Sequence, residues 1–263
     1  RIEHRAIPRP EGEIAVRVFV PAGENERRPV LVYYHGGGWI LGNLDTHEDV
    51  CRTLANRSNA VVVSVDYRRA PEHRFPGPLD DCCAAARWCA ACAGDFGGDG
   101  TRLAVGGDSA GGNLAAAVAI RFRDEGGPPL KLQCLIYPVT NCGFDTLSYH
   151  RYAGGFGLTR DTMRFFWQSY LADPSVGADP YASPLQCQNL AGLPPALILT
   201  AQYDVLRDEG EAYAARLEQA GVPVQCIRYL GMNHGFLQLA ATCEPALRGL
   251  EEIAGALRAA FTA

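Results

Sequence analysis

The chain has 263 residues, of which 48% are hydrophobic and 20% charged, and its formal net charge is −5. This composition is ordinary for one large globular domain, or at most two small ones. The negative charge argues against binding to nucleic acid or to an anionic membrane surface. No apolar run reaches the roughly 18 residues that a membrane-spanning helix needs. We therefore expect neither a nucleic acid nor a membrane as a partner.

The first residues, "RIEHRAIPRPEGE", lack the apolar core of a signal peptide. The ten cysteines are spread over the whole chain instead of forming the dense framework of a small secreted domain. These features favour the cytoplasm, although the sequence does not begin with methionine and its natural start is left open. The "CAAC" at 89–92 could be a metal or redox pair. No second pair of ligands accompanies it, so we interpret these cysteines as small apolar residues and expect no metal or cofactor.

Apolar, β-branched segments alternate with amphipathic segments along the chain. We predict strands at 14–20, 29–35, 60–67, 102–108, 131–139, 195–204 and 223–230. We predict helices at 46–58, 78–93, 109–124, 207–220 and 244–261. Strands that alternate with helices of this length favour an α/β fold with a mostly parallel sheet and helices on both faces.

The segment 140–194 interrupts this alternation, because it holds only one obvious helix, "TRDTMRFFWQSYL". It is much longer than an ordinary connection, and at the carboxyl edge of a parallel sheet it would cover a ligand crevice. We predict a core formed by 1–139 and 195–263, with 140–194 as a cap or lid insertion. Its aromatic residues could line a pocket or pack the insertion onto the core; they are Phe156, Phe165, Phe166, Trp167 and Tyr170.

The sequence Gly107-Asp108-Ser109-Ala110-Gly111 has the pattern G-x-S-x-G between a predicted strand and a predicted helix. That setting is typical of a nucleophile elbow, a sharp turn that exposes the serine hydroxyl and needs glycine where side chains would collide. The N-terminus of the following helix would direct free N–H groups toward an anion. We predict that Ser109 is a nucleophile.

A serine hydroxyl needs a base to take its proton and an acid to orient the base. On a G-x-S-x-G elbow the order along the chain is serine, then an acid, then histidine. Asp204 directly follows a predicted strand, and His234 follows the last one. Asp208 and Glu209 are rival acids, but both lie inside the next predicted helix. We therefore predict Asp204 and His234 as the partners of the serine.

The sequence "HGGGW" at 35–39 follows another predicted strand. Glycines allow backbone amides to turn toward an oxyanion without obstruction by a Cβ. We predict Gly37 and Gly38, together with Ala110 after the nucleophile, as the amide donors, with His35 bracing the loop. A phosphate-binding loop is the rival interpretation, but neither of its common glycine patterns is present.

Six segments together resemble the hormone-sensitive-lipase family of α/β-hydrolases, and its bacterial esterases above all. They are "HGGGW", "DYRRAPEHRFPGPLDD", "GGDSAGGN", "ASPL", "YDVLRDEGEAYAARL" and "GMNHGF", and they span almost the whole chain. The resemblance implies the α/β-hydrolase fold, a Ser109–Asp204–His234 triad and an oxyanion hole of Gly37, Gly38 and Ala110. It also implies a homodimer formed by extension of the sheet.

Members of that family normally carry a helical N-terminal segment that forms half of the cap, and this sequence starts almost at its first predicted strand. Either the site is more open and wetter than in the family, or that segment is absent from this sequence. By the same resemblance, Trp39 and Leu206 are expected to line the substrate pocket with aromatic residues of the insertion.

These features predict a serine carboxylesterase that acts on a small-molecule ester with a short or medium acyl chain. An amide or N-acyl hydrolase with the same triad is an alternative, because the triad does not distinguish the leaving groups. A ligand-binding receptor on this fold is a second alternative. Plant gibberellin receptors resemble the same family without the triad histidine, and the presence of His234 favours an enzyme here.

Overall fold

The strands form one mixed sheet. The computed structural model describes residues 1–10, 12–23 and 27–262. Within these residues the sheet has eight strands in the order β1-β2-β4-β3-β5-β6-β7-β8. They are β1 (Ile2–Arg9), β2 (Gly12–Phe19), β3 (Arg28–Tyr34), β4 (Val61–Asp66), β5 (Gly98–Asp108), β6 (Gln133–Ile136), β7 (Ala196–Tyr203) and β8 (Val224–Asn233). Strands β1, β2 and β4 pair antiparallel, and all further neighbours pair parallel. The predicted α/β fold with a mostly parallel sheet is confirmed.

Helices cover both faces of the sheet. They are α1 (Glu48–Ser58), α2 (Gly77–Cys92), α3 (Ala110–Glu125), α4 (Leu147–Arg151), α5 (Arg160–Tyr170), α6 (Arg207–Gln219) and α7 (Glu244–Thr262). Alternate residues of a strand point to opposite faces, so Val61 and Val63 of β4 join one hydrophobic core and Val62 the other. The first core lies under α2, α3 and α6, and the second lies under α1 and α7. No helix within the described ranges combines the length and apolar character of a bilayer span.

Strand β1 is absent from the sequence prediction, which begins with a strand at 14–20. It pairs with β2 at the edge of the sheet, and of its residues only Ile7 is buried. An edge strand with one solvated face does not need a run of apolar residues. The polar sequence "IEHRAIPR" therefore gives little periodic signal for a strand.

Strand β6 is shorter than the predicted strand at 131–139. Its ladder with β5 and β7 ends at Ile136, because Tyr137 has a backbone φ of +34°. A positive φ is incompatible with an extended strand and is uncommon for a residue other than glycine. The chain therefore turns away from the sheet at Tyr137 and passes beneath Ser109, whose N–H donates to the Ile136 carbonyl at 2.8 Å.

The segment 140–194 contains α4, α5 and two short 3₁₀ helices, Pro174–Ala178 and Pro184–Gln186. Helix α5 begins at a threonine cap, because the side chain of Thr159 accepts a hydrogen bond from the amide of Thr162. On its buried face, Tyr170 stacks on Trp39 with ring centroids 4.1 Å apart and Trp167 packs beside the same ring. These contacts attach the helix to the core.

Candidate active site

Ser109 stands in the sharp turn between β5 and α3. Its φ of +56° and ψ of −118° lie outside the regions that side-chain-bearing residues ordinarily occupy, as in a nucleophile elbow. A Cβ on either Gly107 or Gly111 would collide with the carbonyl oxygen of Tyr34 in β3. The two glycines therefore permit β5 and α3 to approach the neighbouring strand closely enough for this turn to form.

The structure brings Ser109, Asp204 and His234 together from three separate loops. Nε2 of His234 lies 3.0 Å from Oγ of Ser109, and Nδ1 lies 2.7 Å from Oδ2 of Asp204. Asp204 is 1% exposed, and its other carboxylate oxygen accepts the amide of Leu206 at 3.0 Å. A buried carboxylate in this position holds the proton on Nδ1 and leaves Nε2 free to accept the serine proton.

The two rival acids are occupied elsewhere. Asp208 accepts the amide of Ser148 at 2.7 Å, and Glu209 accepts the amide of Thr140 at 2.7 Å. Both contacts tie α6 to the insertion. Burial raises the pKa of Glu209 well above its ordinary value, which favours its neutral form. Neither carboxyl group takes the place of Asp204 beside the imidazole.

Three backbone amides surround the serine hydroxyl. Gly37 and Gly38 have φ values of +118° and +59°, and Ala110 is the first residue of α3. In the part of the chain that the structure describes, none of these three amides donates a hydrogen bond to another group. Free N–H groups held beside a nucleophile are the donors that an oxyanion requires.

The loop that carries Gly37 and Gly38 is braced from below by buried polar groups. His35 is fully buried, and its Nδ1 lies 2.8 Å from the carbonyl oxygen of Gly36. Burial lowers the pKa of His35 from 6.5 to about 4, so the ring is neutral. Tyr67 stacks on this ring and donates its hydroxyl proton to the His35 carbonyl at 2.7 Å. His35 therefore has the bracing geometry that was predicted for it.

Asp108, the residue before the nucleophile, supports the same loop. Its carboxylate accepts the amide of Gly36 at 3.0 Å and the hydroxyl of Tyr33 at 2.8 Å, and it faces Nε2 of His47 at 3.2 Å. Burial would raise the pKa of Asp108, but His47 and the Tyr33 hydroxyl hold it below its ordinary value. Burial would also lower the pKa of His47, and the Asp108 carboxylate reverses that effect.

A cavity of about 420 Å³ opens above Ser109. Leu158 and Phe166 of the insertion form an apolar wall, and Thr46, His47 and Gln238 form a polar wall opposite. Its volume and its mixture of apolar walls with a few polar groups suit a small organic ligand. Among the described residues, no group of three His, Cys, Asp or Glu side chains is arranged to hold a metal ion.

Trp39 and Leu206 are not part of this cavity. Trp39 is fully buried between Trp167 and Tyr170, and the side chain of Leu206 is 1% exposed. The prediction that they line the substrate pocket is therefore corrected. Trp39 anchors the insertion, and Leu206 acts through its backbone amide, which orients Asp204. Of the insertion's aromatic residues, Phe166 lines the cavity.

Several residues at the site were not identified from the sequence. Tyr137 packs its ring 4.7 Å from the imidazole of His234, and Leu158, Thr46, His47 and Gln238 line the cavity. Only Tyr137 carried a local signal, because it stands at the carboxyl end of a predicted strand, where α/β sheets bind ligands. The others lie in loops or helix ends whose positions depend on the tertiary structure.

The chain is similar to known proteins along nearly its whole length. A family model described as alpha/beta hydrolase fold matches residues 31–238. The carboxylic ester hydrolase LipN of Mycobacterium tuberculosis is 47% identical over 261 residues, which cover 97% of this chain and 69% of that protein. The ethyl acetate hydrolase of Pseudomonas putida is 41% identical over 250 residues, which cover 93% of this chain and 78% of that protein.

Solved structures give the same result. An esterase from the archaeon Pyrobaculum calidifontis superimposes with a TM-score of 0.96 at 46% identity, covering 100% of this chain and 84% of the other. The similarity thus holds for both the sequence and the path of the backbone, and it includes the segments that carry the elbow, the glycine loop and the histidine loop. We conclude that this chain belongs to the hormone-sensitive-lipase family of α/β-hydrolases.

Proposed function

We propose that the chain is a carboxylesterase that hydrolyses esters with short or medium acyl chains through an acyl-enzyme on Ser109. The observation that carries this proposal is the continuous hydrogen-bonded chain from the serine hydroxyl through His234 to Asp204. Relatives and structural neighbours named as esterases support the choice of an ester as substrate.

In the first half of the reaction, Oγ of Ser109 attacks the ester carbonyl carbon while Nε2 of His234 accepts the hydroxyl proton. The carbonyl oxygen becomes an oxyanion, and the amides of Gly37, Gly38 and Ala110 stabilise its charge. When the tetrahedral intermediate collapses, the bond to the leaving oxygen breaks and His234 transfers the proton to the departing alcohol. The product of this half-reaction is an acyl ester of Ser109.

Water completes the cycle by the same geometry. His234 accepts a proton from the water molecule as its oxygen attacks the acyl carbonyl, and a second oxyanion forms at the same amides. Collapse releases the carboxylic acid and returns the proton to Oγ of Ser109. Because the imidazole must be neutral to accept each proton, we expect the rate to rise with pH as His234 loses its own.

The preference for short or medium chains is supported by the size of the cavity, about 420 Å³, which suits a small ester better than a long triglyceride. We propose that 140–194 acts as a cap, because Leu158 and Phe166 from this segment form one wall of the cavity. An amide or N-acyl substrate has no specific contact in its favour. A receptor without catalysis is disfavoured, because His234 lies within hydrogen-bond distance of Ser109.

We further propose a cytoplasmic protein that forms a homodimer. Strand β8 lies at the edge of the sheet and most of its residues are solvent-exposed, so its backbone is free to pair with a second copy. The ten cysteines are all free thiols, as is usual in a reducing compartment. Sedimentation of the purified protein would test the dimer, and a monomer at micromolar concentration would contradict it.

The reaction is tested with p-nitrophenyl esters from acetate to laurate, assayed with the wild type and with Ser109→Ala. We expect turnover to be highest for the shorter esters and to fall by at least about 10³-fold in the variant. Ser175→Ala, which changes an exposed serine of the insertion, is the matched control and should keep full activity. Substantial turnover by Ser109→Ala would exclude this serine as the nucleophile.

A further inference from the structure

His47 and Asp108 form a buried pair directly beneath the loop that carries Gly37 and Gly38. His47 is 7% exposed and Asp108 is 4% exposed. Nε2 of His47 lies 3.2 Å from one carboxylate oxygen, and that same oxygen accepts the amide of Gly36. A Cβ on Gly36 would collide with the other carboxylate oxygen. The loop therefore rests on this carboxylate with no intervening side chain.

The hydrogen bonds around Thr46 determine which nitrogen of His47 carries a proton. The Thr46 hydroxyl donates to the carbonyl of Asn43 at 2.9 Å and accepts the amide of Asn43 at 3.0 Å. Since its proton is already used, it must accept when it meets Nδ1 of His47 at 2.8 Å. Nδ1 therefore carries a proton, and a second proton on Nε2 would make the ring an imidazolium that faces Asp108.

Three titratable side chains face this imidazole. Asp108 comes from the end of β5, while Tyr33 and His35 come from β3, with ring centroids 6.3 Å and 5.6 Å from that of His47. His35 is neutral because burial lowers its pKa to about 4, and the pKa of the buried Tyr33 is raised well above its ordinary value. The charge that His47 meets is therefore that of the Asp108 carboxylate, which favours the imidazolium.

We propose that the His47–Asp108 ion pair is a positioning element that holds the oxyanion loop in place through the amide of Gly36. This inference rests on the proposed acyl-transfer function, because it concerns the loop that would stabilise the oxyanion. In the ion pair, the Gly36 amide binds Asp108 and Nε2 of His47 donates to the same carboxylate. In neutral His47, Nε2 is an acceptor 3.3 Å from that amide and competes with Asp108 for its proton.

A shift of the Gly36 amide would move the adjacent amides of Gly37 and Gly38. Oxyanion donors must lie within a narrow distance of the developing charge, and loss of one donor typically costs about 10²–10³-fold in kcat. Misplacement costs less than deletion, so we expect a decrease of about 10–100-fold when the pair is broken. Because these donors act on the transition state, the decrease belongs to kcat and leaves KM nearly unchanged.

The experiment compares the wild type with His47→Gln on p-nitrophenyl acetate between pH 6 and 9. We expect the variant to lose about 10–100-fold in kcat with KM within about 2-fold of the wild type. Wild-type kcat should decline on the alkaline side as the imidazolium loses its proton, and this decline should be missing in the variant. His4→Gln, an exposed histidine on β1, should behave as the wild type.

The proposal is wrong if folded His47→Gln keeps the wild-type kcat, if its loss lies in KM alone, or if the alkaline decline persists. Should that variant not fold, as judged by circular dichroism, Tyr33→Phe replaces it and removes one donor to Asp108 while keeping the ring. We expect Tyr33→Phe to lower kcat several-fold at constant KM, and an unchanged kcat would overturn the proposal equally. An active Ser109→Ala variant would instead refute the proposed function.

Discussion

The aromatic ring of Phe166 packs against Cα of Gly38, in the space that a side chain at position 38 would occupy. Phe166 belongs to α5 of the insertion, and Gly38 belongs to the glycine loop beside Ser109. The insertion thus contacts the backbone that we propose to bind the oxyanion. Its position affects both the shape of the cavity and the loop that forms part of the cavity wall.

Phe166→Ala should change the preference for acyl chains. Loss of the ring removes part of the apolar wall, and each added methylene in a fitted pocket contributes about 1–3 kcal/mol to discrimination. We expect the ratio of kcat/KM for p-nitrophenyl octanoate to that for the acetate to rise by about 10-fold. Phe165→Ala, which removes a neighbouring ring that is 57% exposed, is the control. The same ratio in both variants would show that Phe166 does not limit the chain length.

Gly38→Ala should impair catalysis more than binding. The added methyl group meets the Phe166 ring, and the φ of +59° is strained for alanine. We expect kcat to fall by about 10²-fold, because the amides of the loop lose their alignment with the oxyanion. Gly154→Ala is the matched control, since Gly154 has open space around its Cα and an ordinary φ. Equal activity of the two variants would contradict this role of the loop.

Asp204→Asn tests the acid of the triad. The amide cannot hold the imidazole in the required tautomer or stabilise its positive charge, so kcat should fall by about 10³–10⁴-fold with a small change in KM. Asp208→Asn, at the rival carboxylate, should keep most of the activity because Asp208 contacts Ser148 instead of His234. Steady-state kinetics on p-nitrophenyl butyrate decide between them, and the reverse order of losses would assign the role to Asp208.

His35 should make the protein less stable in acid. Its folded-state pKa is lowered by burial to about 4, whereas the unfolded chain titrates at its ordinary value of about 6.5. Between these values the unfolded chain binds a proton that the folded chain does not, so the free energy of unfolding falls as the pH falls. Over the whole window this group accounts for a loss of about 3 kcal/mol.

Urea unfolding of the wild type and of His35→Gln at pH 7 and near pH 4 measures this contribution. The variant should be less stable at pH 7, because it loses the ring that stacks on Tyr67, but it should lose less stability on acidification. The exposed His4→Gln variant should follow the wild type at both pH values. An identical acid-induced loss in His35→Gln would mean that this imidazole does not titrate as the structure indicates.

The local sequence around the elbow and the two following loops was enough to predict the order Ser109, Asp204, His234. Each residue follows a strand with a recognisable apolar run, and the carboxyl ends of parallel strands meet at one edge of the sheet. The structure brings the three side chains within hydrogen-bond distance, while their catalytic roles stay predictions. Strand β1 escaped the same reasoning because, at the edge of the sheet, it buries only Ile7.

The cavity could not be assigned from sequence in the same way. Trp39 and Phe166 are both large aromatic residues near functional segments, yet one is fully buried and the other lines the cavity. Their positions depend on the direction in which α5 packs against the glycine loop, and no nearby residue in the sequence specifies that direction. His47 and Asp108 are 61 residues apart, and only the folded sheet makes them neighbours.

The sequence by itself determined the fold class and the three segments that converge on the serine, because strand and helix periodicity and glycine's backbone freedom are local properties. The tertiary structure alone decided which side chains line the cavity, which carboxyl groups are occupied elsewhere and which buried groups support the glycine loop. Those outcomes depend on packing and on desolvation of charge between distant segments, and both are set only when the chain is folded.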